Sequence, residues 1–242
     1  MENDKVSIII ATFNRFEYLM NTIKSAKKQT YKNTEIIVVN DCSNQKEYYE
    51  YDWSGNGVII IHLEKNSKSI FGFACPGGYQ RNFGMEIATG KYIAFCDDDD
   101  SWFPDKLTLQ VNAMKETGCK MSSTDGCVGR GPYVPTKTYK KYNAEFFWER
   151  LQSKFKKKNK SELIENGFPR IWDKNFINTH NCMICSSVMI EKDIIDKTGK
   201  FCVKNYADDY EYWLRIINHT DSVYVDNVCV YYDIGHAGGR KY

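Results

Sequence analysis

Four short apolar runs in the first hundred residues constrain the fold of this chain more than any other feature. They are nearly continuous and rich in branched side chains, which is typical of strands that are covered on both faces of a mainly parallel sheet. The runs are VSIIIA (6–11), EIIVVN (35–40), VIIIHL (58–63) and YIAFC (92–96).

Patterns with helical spacing separate these runs. Asn14, with Glu17 three residues later, predicts a capping box at the start of the first helix, and Pro104 marks the expected start of a later one. The alternation of strand and helix predicts a βαβ, Rossmann-like half. The apolar positions of the two helices are Phe16, Leu19, Met20, Ile23 and Ala26, then Leu107, Val111 and Met114.

Polar residues stand at the end of each predicted strand. In open α/β sheets the ligand binds beyond the carboxyl ends of the strands, so the fold would bring these side chains to one edge. That convergence predicts a polar binding site built from four separate segments. Its residues are Thr12, Asn14, Asn40, Asp41, Glu64 and Asp97 to Asp100.

The four consecutive aspartates after the fourth run need an arrangement that relieves their repulsion. Two carboxylates about 4 Å apart repel by roughly 4 kcal/mol at the effective dielectric of a protein surface. The cluster must spread into solvent, take up protons or hold a cation. If the strand continues, Asp97 and Asp99 point to one side and Asp98 to the other, which suits Mg²⁺ or Mn²⁺. The alternative is an acidic turn that caps the next helix.

Composition excludes several other classes of protein. A 42% hydrophobic share of 242 residues is enough for a core, and a net charge of +2 with interspersed signs argues against nucleic acid as the main partner. No apolar stretch reaches the roughly 18 residues of a membrane span. The N-terminus lacks the layout of a signal peptide, which predicts a cytoplasmic location.

The cysteines and one lysine-rich run are predicted to have structural rather than catalytic roles. Nine cysteines at irregular spacing predict buried free thiols, and Cys182–Cys185 matches C-x-x-C inside a segment predicted to be a core strand. The basic run at 154–160 predicts a solvated face.

No phosphate-binding glycine motif and no nucleophile–histidine motif is present. Carboxylates at strand ends remain as the candidate chemistry.

The ordered motifs of the chain resemble those of family 2 glycosyltransferases with the GT-A fold. The similarity covers nearly the whole chain and is weakest from 128 to 178. It implies an α/β fold with a mainly parallel central sheet flanked by helices and a small antiparallel addition in the C-terminal half. The motifs are VSIIIATFNR, IIVVNDCS, QRNFGMEIATGKYIAFCDDDDSWFPDKLTLQ, ICSSVMIEKDIIDKTGKF and YADDYEYWLRI.

The resemblance implies a role for each matching residue. On the donor side, Asp41 would bind the nucleoside, and Asp97 the ribose. Asp99 would hold the metal, with His236 as a looser match. The second aspartate of the Asp208–Asp209 pair would be the general base. The other donor-binding positions are Thr12, Asn14, Arg81, Asn82 and Asp98. Apart from the resemblance, aromatic faces suit sugar rings, so Trp148 and Trp172 are expected on the acceptor side, together with Asp208.

Two positions depart from the family pattern. Asp208 stands where glutamate is more usual, and Ala11 stands where proline is more usual; both changes are mild. The implied chemistry agrees with the residue types, because a divalent cation can neutralise the leaving diphosphate. A carboxylate can take the proton of the attacking acceptor hydroxyl.

The sequence therefore predicts a single GT-A domain over 1–242, with a nucleotide-sugar half at 1–127 and an acceptor and base half at 128–242. The predicted activity is metal-dependent, inverting transfer of the hexosyltransferase type, from a UDP-sugar to a glycan, protein or small-molecule hydroxyl, with Mn²⁺ or Mg²⁺. Two alternatives stay open. One is a non-catalytic nucleotide-sugar-binding module, and the other is a sugar nucleotidyltransferase. The latter normally has a Gly-rich signature near the N-terminus, which is absent from the segment SIIIATFNRFEYL.

Overall fold

In the computed structural model, which describes residues 4–235, ten strands join in one sheet and nine α-helices connect them. The strands are β1 (Val6–Thr12), β2 (Thr34–Asn40), β3 (Val58–His62), β4 (Tyr92–Asp97), β5 (Ser101–Trp102), β6 (Met121–Gly129), β7 (Lys140–Lys141), β8 (Ile171–Trp172), β9 (Met189–Glu191) and β10 (Ser222–Asp233). The helices are α1 (Phe16–Lys27), α2 (Glu47–Glu50), α3 (Ser67–Phe71), α4 (Gly78–Ile87), α5 (Lys106–Thr117), α6 (Trp148–Lys157), α7 (Lys174–Thr179), α8 (Ile195–Thr198) and α9 (Asp208–Ile216).

The strand order confirms the predicted fold class. Along the sheet the order is β3-β2-β1-β4-β9-β6-β10-β5, with β7 on β6 and β8 on β10. The strands β3, β2, β1 and β4 are mutually parallel, and β10 runs parallel to β6. The antiparallel members are the short strands β5, β7, β8 and β9. Most of them come from the C-terminal half, as predicted.

The apolar runs are continuous because successive side chains of each strand enter two different cores. In β1, Ile9 packs into one core, whereas Ile8 and Ile10 pack into the other. The first core is closed by residues of α4, α6 and α9, and the second by residues of α1 and α5. Strand positions that face either core therefore favour apolar side chains.

Three local predictions are wrong. α1 begins at Phe16 without a side-chain cap, because the Asn14 side chain instead accepts a hydrogen bond from the backbone N of Asn44. α5 begins at Lys106 rather than at Pro104. The segment 182–190 is a strand only from Met189 onward, after a 3₁₀ turn.

Both cysteines of the C-x-x-C segment are buried in the core, and no disulfide is present among the described residues. The predicted division after residue 127 falls inside β6, so the two halves share one strand and the division remains a prediction about function. Across residues 4–235, no helix combines the length and apolar character that crossing a bilayer requires.

We expect Gly84→Ala to destabilise the fold. A Cβ at position 84 of α4 would lie 2.6 Å from Ile9 Cγ2 on β1, and overpacking of this kind costs about 1–3 kcal/mol. Urea denaturation measures the change in the free energy of unfolding. In an Ile9→Ala background the same glycine substitution should cost much less, since the clashing methyl group is gone. Equal costs in the two backgrounds would contradict the packing argument.

Candidate active site

The ends of the parallel strands meet at one edge of the sheet, as the sequence predicts. Thr12 is in register with Asn40, and Ala11 is in register with Asp97. Just beyond β2, the backbone N of Asp41 donates to the Thr12 carbonyl at 2.9 Å. The polar side chains that follow β1, β2 and β4 therefore surround a common edge.

The aspartate run leaves β4 in a tight turn rather than as a continuing strand. The Asp100 backbone N donates to the Asp97 carbonyl at 3.2 Å. From α1, the buried Thr22 hydroxyl lies 3.0 Å from the Asp98 carbonyl oxygen and 2.7 Å from that of Asp100. Because the chain turns here, the alternation of side chains along a strand ends at Asp97.

Arg15 brings together two carboxylates that the strand pattern assigned to opposite sides. Its guanidinium Nη1 lies 3.1 Å from Asp98 Oδ1 and 2.8 Å from Asp99 Oδ2. The expectation that Asp98 points away from Asp99 is therefore wrong, and the turn is the reason. Burial, together with repulsion from Asp98 and Asp97, raises the pKa of Asp99 to about 8, although Arg15 lowers it.

Asp100 is a structural member of the run. It is fully buried, accepts a hydrogen bond from the Ser186 hydroxyl, and accepts another from the backbone N of Asp233 at 2.9 Å. Burial and repulsion from Asp99 raise its pKa well above the ordinary value. The Ser186 hydroxyl also accepts a hydrogen bond from the backbone N of Asp97 at 2.8 Å. Asp100 and Ser186 thus attach the turn to the C-terminal half of the chain.

Arg81 is the buried cation of the site. Its side chain is 2% exposed and forms an ion pair with Asp97, which is 27% exposed. Burial opposes the charge of Arg81, but the neighbouring Cys185 and carboxylates, including Asp97, outweigh it and raise the pKa. Arg81 was expected against the donor nucleotide; its position here orients Asp97 at the edge of the site.

Asn82 holds a different part of the chain. Its side-chain amide donates to the Phe201 carbonyl at 2.9 Å, and its carbonyl oxygen accepts from the backbone N of Phe201 at the same distance. Both polar groups of Asn82 are therefore used to attach the segment that leads to α9. The role in donor binding that the resemblance implied remains a prediction.

Asp41 and Asn14 organise the loops that follow β1 and β2. Asp41 is buried; its Oδ1 accepts from the Ser67 backbone N at 2.9 Å, and its Oδ2 accepts from the Ser67 hydroxyl at 2.7 Å. Asn14 adopts a positive φ of 51°, which asparagine tolerates better than most residues. Its backbone N donates to the Ser43 hydroxyl at 2.8 Å. The Thr12 hydroxyl lies 2.6 Å from that of Tyr48.

Asp208 and Asp209 begin α9 with different environments. Asp208 is buried and accepts from the backbone N of Gly78 at 2.7 Å, where a Cβ on Gly78 would lie 2.5 Å from its Oδ2. Asp209 is half-buried and accepts from the backbone N of Tyr210 at 2.6 Å. The preceding Ala207 has a positive φ of 46°, a strained conformation for a residue other than glycine.

The environment of Asp209 suits a proton acceptor. Burial and repulsion from Asp208 raise its pKa to about 6, while the Tyr210 N–H and Arg81 lower it. A carboxylate with this pKa is ionised near neutral pH and more basic than an ordinary aspartate. Arg81, which forms the ion pair with Asp97, also acts electrostatically on Asp209, so both carboxylates lie near the same buried cation.

The two tryptophans proposed for the acceptor side lie in different environments. Trp172 is fully buried, with ring centroids 4.7 Å from Phe176 and 4.5 Å from Tyr224. It cannot offer a ring face to an acceptor, so this assignment is wrong. Trp148 is half-exposed and lines a cavity of about 500 Å³ beside α6. His236 lies outside the described residues.

Sequence reasoning missed Arg15, Ser67 and Ser186. Arg15 directly follows Asn14, and a cation beside four carboxylates was a usable signal. No local signal marks Ser67 or Ser186, because each meets its aspartate only through the fold, across 26 and 86 residues respectively.

A mainly parallel, Rossmann-like sheet with antiparallel additions and an acidic site at its strand ends is the arrangement of the GT-A fold class. Within that class the chain belongs to glycosyl transferase family 2, because the sequence model of this family matches residues 7–194.

Two curated relatives are similar to about half of this chain. The putative teichuronic acid biosynthesis glycosyltransferase TuaG of Bacillus subtilis is 33% identical over 122 residues, which cover 49% of this chain and 45% of TuaG. The Escherichia coli UDP-Glc:alpha-D-GlcNAc-diphosphoundecaprenol beta-1,3-glucosyltransferase WfaP is 39% identical over 113 residues, which cover 46% of this chain and 41% of WfaP. The aligned part is thus less than half of either relative.

Solved structures show the same fold at low identity. S. aureus TarS 1-349 in complex with UDP-GlcNAc gives a TM-score of 0.66 at 19% identity, covering 95% of this chain and 58% of that one. The mannosyltransferase PcManGT from Pyrobaculum calidifontis, in complex with GDP-Man and Mn2+, gives 0.64 at 14% identity, covering 98% and 59%.

We expect Arg15→Gln to lower the free energy of unfolding by about 1–3 kcal/mol, because Asp98 and Asp99 then lose a shared cation. The cost should grow between about pH 6 and pH 9, since Asp99 ionises with a pKa of about 8. Chemical denaturation at several pH values measures it.

Two matched variants control this experiment. Arg15→Lys keeps the charge and should recover part of the loss, and Lys24→Gln removes an exposed cation from the same helix and should change stability by less than about 0.5 kcal/mol. An Arg15→Gln cost that equals the Lys24→Gln cost at every pH would show that the ion pairs contribute nothing.

Proposed function

We propose that the chain catalyses metal-dependent, inverting transfer of a hexose from a UDP-sugar to an acceptor hydroxyl. One observation carries this proposal: Asp97 and Asp209, more than a hundred residues apart in sequence, both lie near the buried Arg81, and burial raises the pKa of Asp209 to about 6. A base candidate and an acidic donor edge are the two parts that sugar transfer requires.

The donor assignment rests on the strand-end residues and on the relatives. Thr12, Asn14 and Asp41 surround the ends of β1 and β2, where α/β sheets bind nucleotides. UDP-Glc appears in the name of WfaP, and UDP-GlcNAc is bound in the TarS structure. These observations support a UDP-sugar as the donor of this chain.

The metal assignment rests on the chemistry of the aspartate run. Asp97 and Asp99 offer hard oxygen ligands, and Mg²⁺ or Mn²⁺ needs only one or two carboxylates when water and phosphate complete its shell. Burial, with repulsion from Asp98 and Asp97, raises the pKa of Asp99, and a cation bound beside it would favour the ionised form. Within residues 4–235 no group of three His, Cys, Asp or Glu side chains is arranged to hold a metal ion.

When bound, the cation would stabilise the charge of the departing diphosphate. The chain's own residues do the rest. Arg81 holds Asp97 at the edge of the site, and Asp209 accepts the proton of the acceptor hydroxyl as its oxygen attacks the anomeric carbon. Attack from the face opposite the leaving group inverts the configuration of that carbon. Mn2+ in the PcManGT complex supports the same use of a divalent cation.

We expect Asp209→Asn to abolish sugar transfer while UDP binding persists. The amide cannot accept the proton from the acceptor, but its oxygen can still accept the Tyr210 N–H. Loss of a general base typically lowers the rate by about 10²–10⁴-fold. Coupled detection of released UDP measures turnover, and calorimetry measures UDP binding.

Protein stability provides the control. The pKa of Asp209 is raised in the folded state, so its ionisation destabilises the fold above about pH 6 and has no effect below about pH 4. Asp209→Asn should therefore raise the free energy of unfolding by about 3 kcal/mol near pH 8 and change it little near pH 4. Normal turnover in this variant would place the base elsewhere. A wild-type protein that binds UDP-sugars without turnover towards any acceptor would favour the non-catalytic module.

We expect UDP to bind more tightly with Mn²⁺ than with EDTA, by about 5- to 150-fold, because a shared metal couples the two affinities. Asp99→Asn should remove most of this difference, whereas Asp226→Asn, away from the run, should keep it. Calorimetric titration of UDP with and without chelator measures the effect. Indifference of the wild-type protein to EDTA would overturn the metal assignment.

A further inference from the structure

Positive charge is concentrated in one short segment of the chain. Residues 140–160 contain eight lysines or arginines and two glutamates, a net charge of +6, whereas the whole chain carries +2. The remaining residues therefore carry a net charge of −4. Such a separation of charge indicates a surface that attracts a polyanion.

The helix α6 presents these charges to solvent. Its Leu151 and Phe155 are buried in the core, four residues apart on one face. Arg150, Lys154 and Lys157 recur at i, i+4 and i+7, which places them in one stripe outside that buried face. Lys156 and Lys158 are exposed beside them, and we call all five cations the basic stripe: Arg150, Lys154, Lys156, Lys157 and Lys158. None of them forms an ion pair with a carboxylate in the described part of the chain.

Aromatic side chains lie at the N-terminal end of the basic stripe. Phe146 is 43% exposed, and its ring centroid is 4.8 Å from that of Phe147. Arg150 Cζ lies 6.0 Å from the centroid of the Phe147 ring, so the aromatic pair and the stripe are adjacent. Exposed aromatic rings beside lysines and arginines are typical of segments that lie at a lipid–water interface.

The basic stripe is one segment away from the base candidate. The hydroxyl of Tyr210, next to Asp209, donates to the Ile177 carbonyl at 2.7 Å. Lys158 Nζ donates to the Thr179 carbonyl at 2.7 Å. The end of α7 thus connects α9, which carries Asp209, to the basic stripe.

We propose that the basic stripe, with Phe146, docks the protein onto the surface of an anionic lipid bilayer. The cations pair with lipid phosphates, and the Phe146 ring enters the headgroup region. A soluble polyanion would satisfy the charge but offers no apolar layer for this ring. Docking at this face would hold the Asp209 side of the site close to the bilayer. The inference does not depend on the proposed transfer reaction.

Vesicle cosedimentation tests the docking. The full chain should bind vesicles of phosphatidylcholine with about 30% phosphatidylglycerol, should not bind phosphatidylcholine alone, and should dissociate as salt shortens the screening length. Replacing Lys154, Lys156 and Lys157 by glutamine should weaken binding by about 100-fold. The matched control replaces Lys24, Lys27 and Lys28, three exposed lysines near the end of α1, and should keep most of the affinity.

A second variant separates the bilayer from other polyanions. Phe146→Ser should weaken vesicle binding by about tenfold while leaving binding to soluble heparin unchanged, because only the bilayer receives the ring. Equal losses in the two triple-lysine variants, or no preference for anionic vesicles in the wild-type chain, would overturn the proposal. Insensitivity of vesicle binding to Phe146→Ser would reassign the stripe to soluble polyanions. UDP binding, measured in parallel, should be the same in all variants.

Discussion

The site depends on the pairing of the buried Arg81 guanidinium with nearby carboxylates. A guanidinium that is almost fully removed from water is tolerated only when nearby anions compensate for its lost hydration. Asp97 supplies the direct ion pair, and Asp208 and Asp209 add to the compensation. Since these carboxylates come from β4 and from α9, the charge of Arg81 couples the strand-end edge of the sheet to the start of α9.

Several contacts around α4 follow from this requirement. The Gly78 N–H reaches Asp208 because glycine has no Cβ, and Asn82 uses both of its polar groups on the Phe201 backbone. The helix that carries Arg81 is therefore attached at its first residue to Asp208 of α9 and near its middle to Phe201, in the segment before α9. The strained backbone of Ala207 and the burial that raises the pKa of Asp209 are both unfavourable for folding, and these hydrogen bonds help to offset them.

The pattern of strands was predictable because strands that are buried on both faces have continuous apolar sequences. The convergence of Thr12, Asp41 and Asp97 was predictable because the carboxyl ends of parallel strands lie at the same edge of the sheet. The roles of the individual aspartates were less predictable. Asp98 and Asp99 share Arg15 because the chain turns after Asp97, and an i, i+2 rule assumes a strand that continues. Trp172 was misassigned, since an aromatic residue in a polar segment can equally fill a core.

By itself, the sequence determined which segments are buried, where strand ends present carboxylates, and that an acidic pair begins a late helix, because these depend on local periodicity and residue chemistry. Only the tertiary structure decided which cation faces which carboxylate, that Asp208 is a link to α4 while Asp209 stays half-exposed, and that the lysines of α6 are exposed. Those outcomes depend on distances between residues far apart in the chain, and electrostatic and hydrogen-bond energies change steeply with distance.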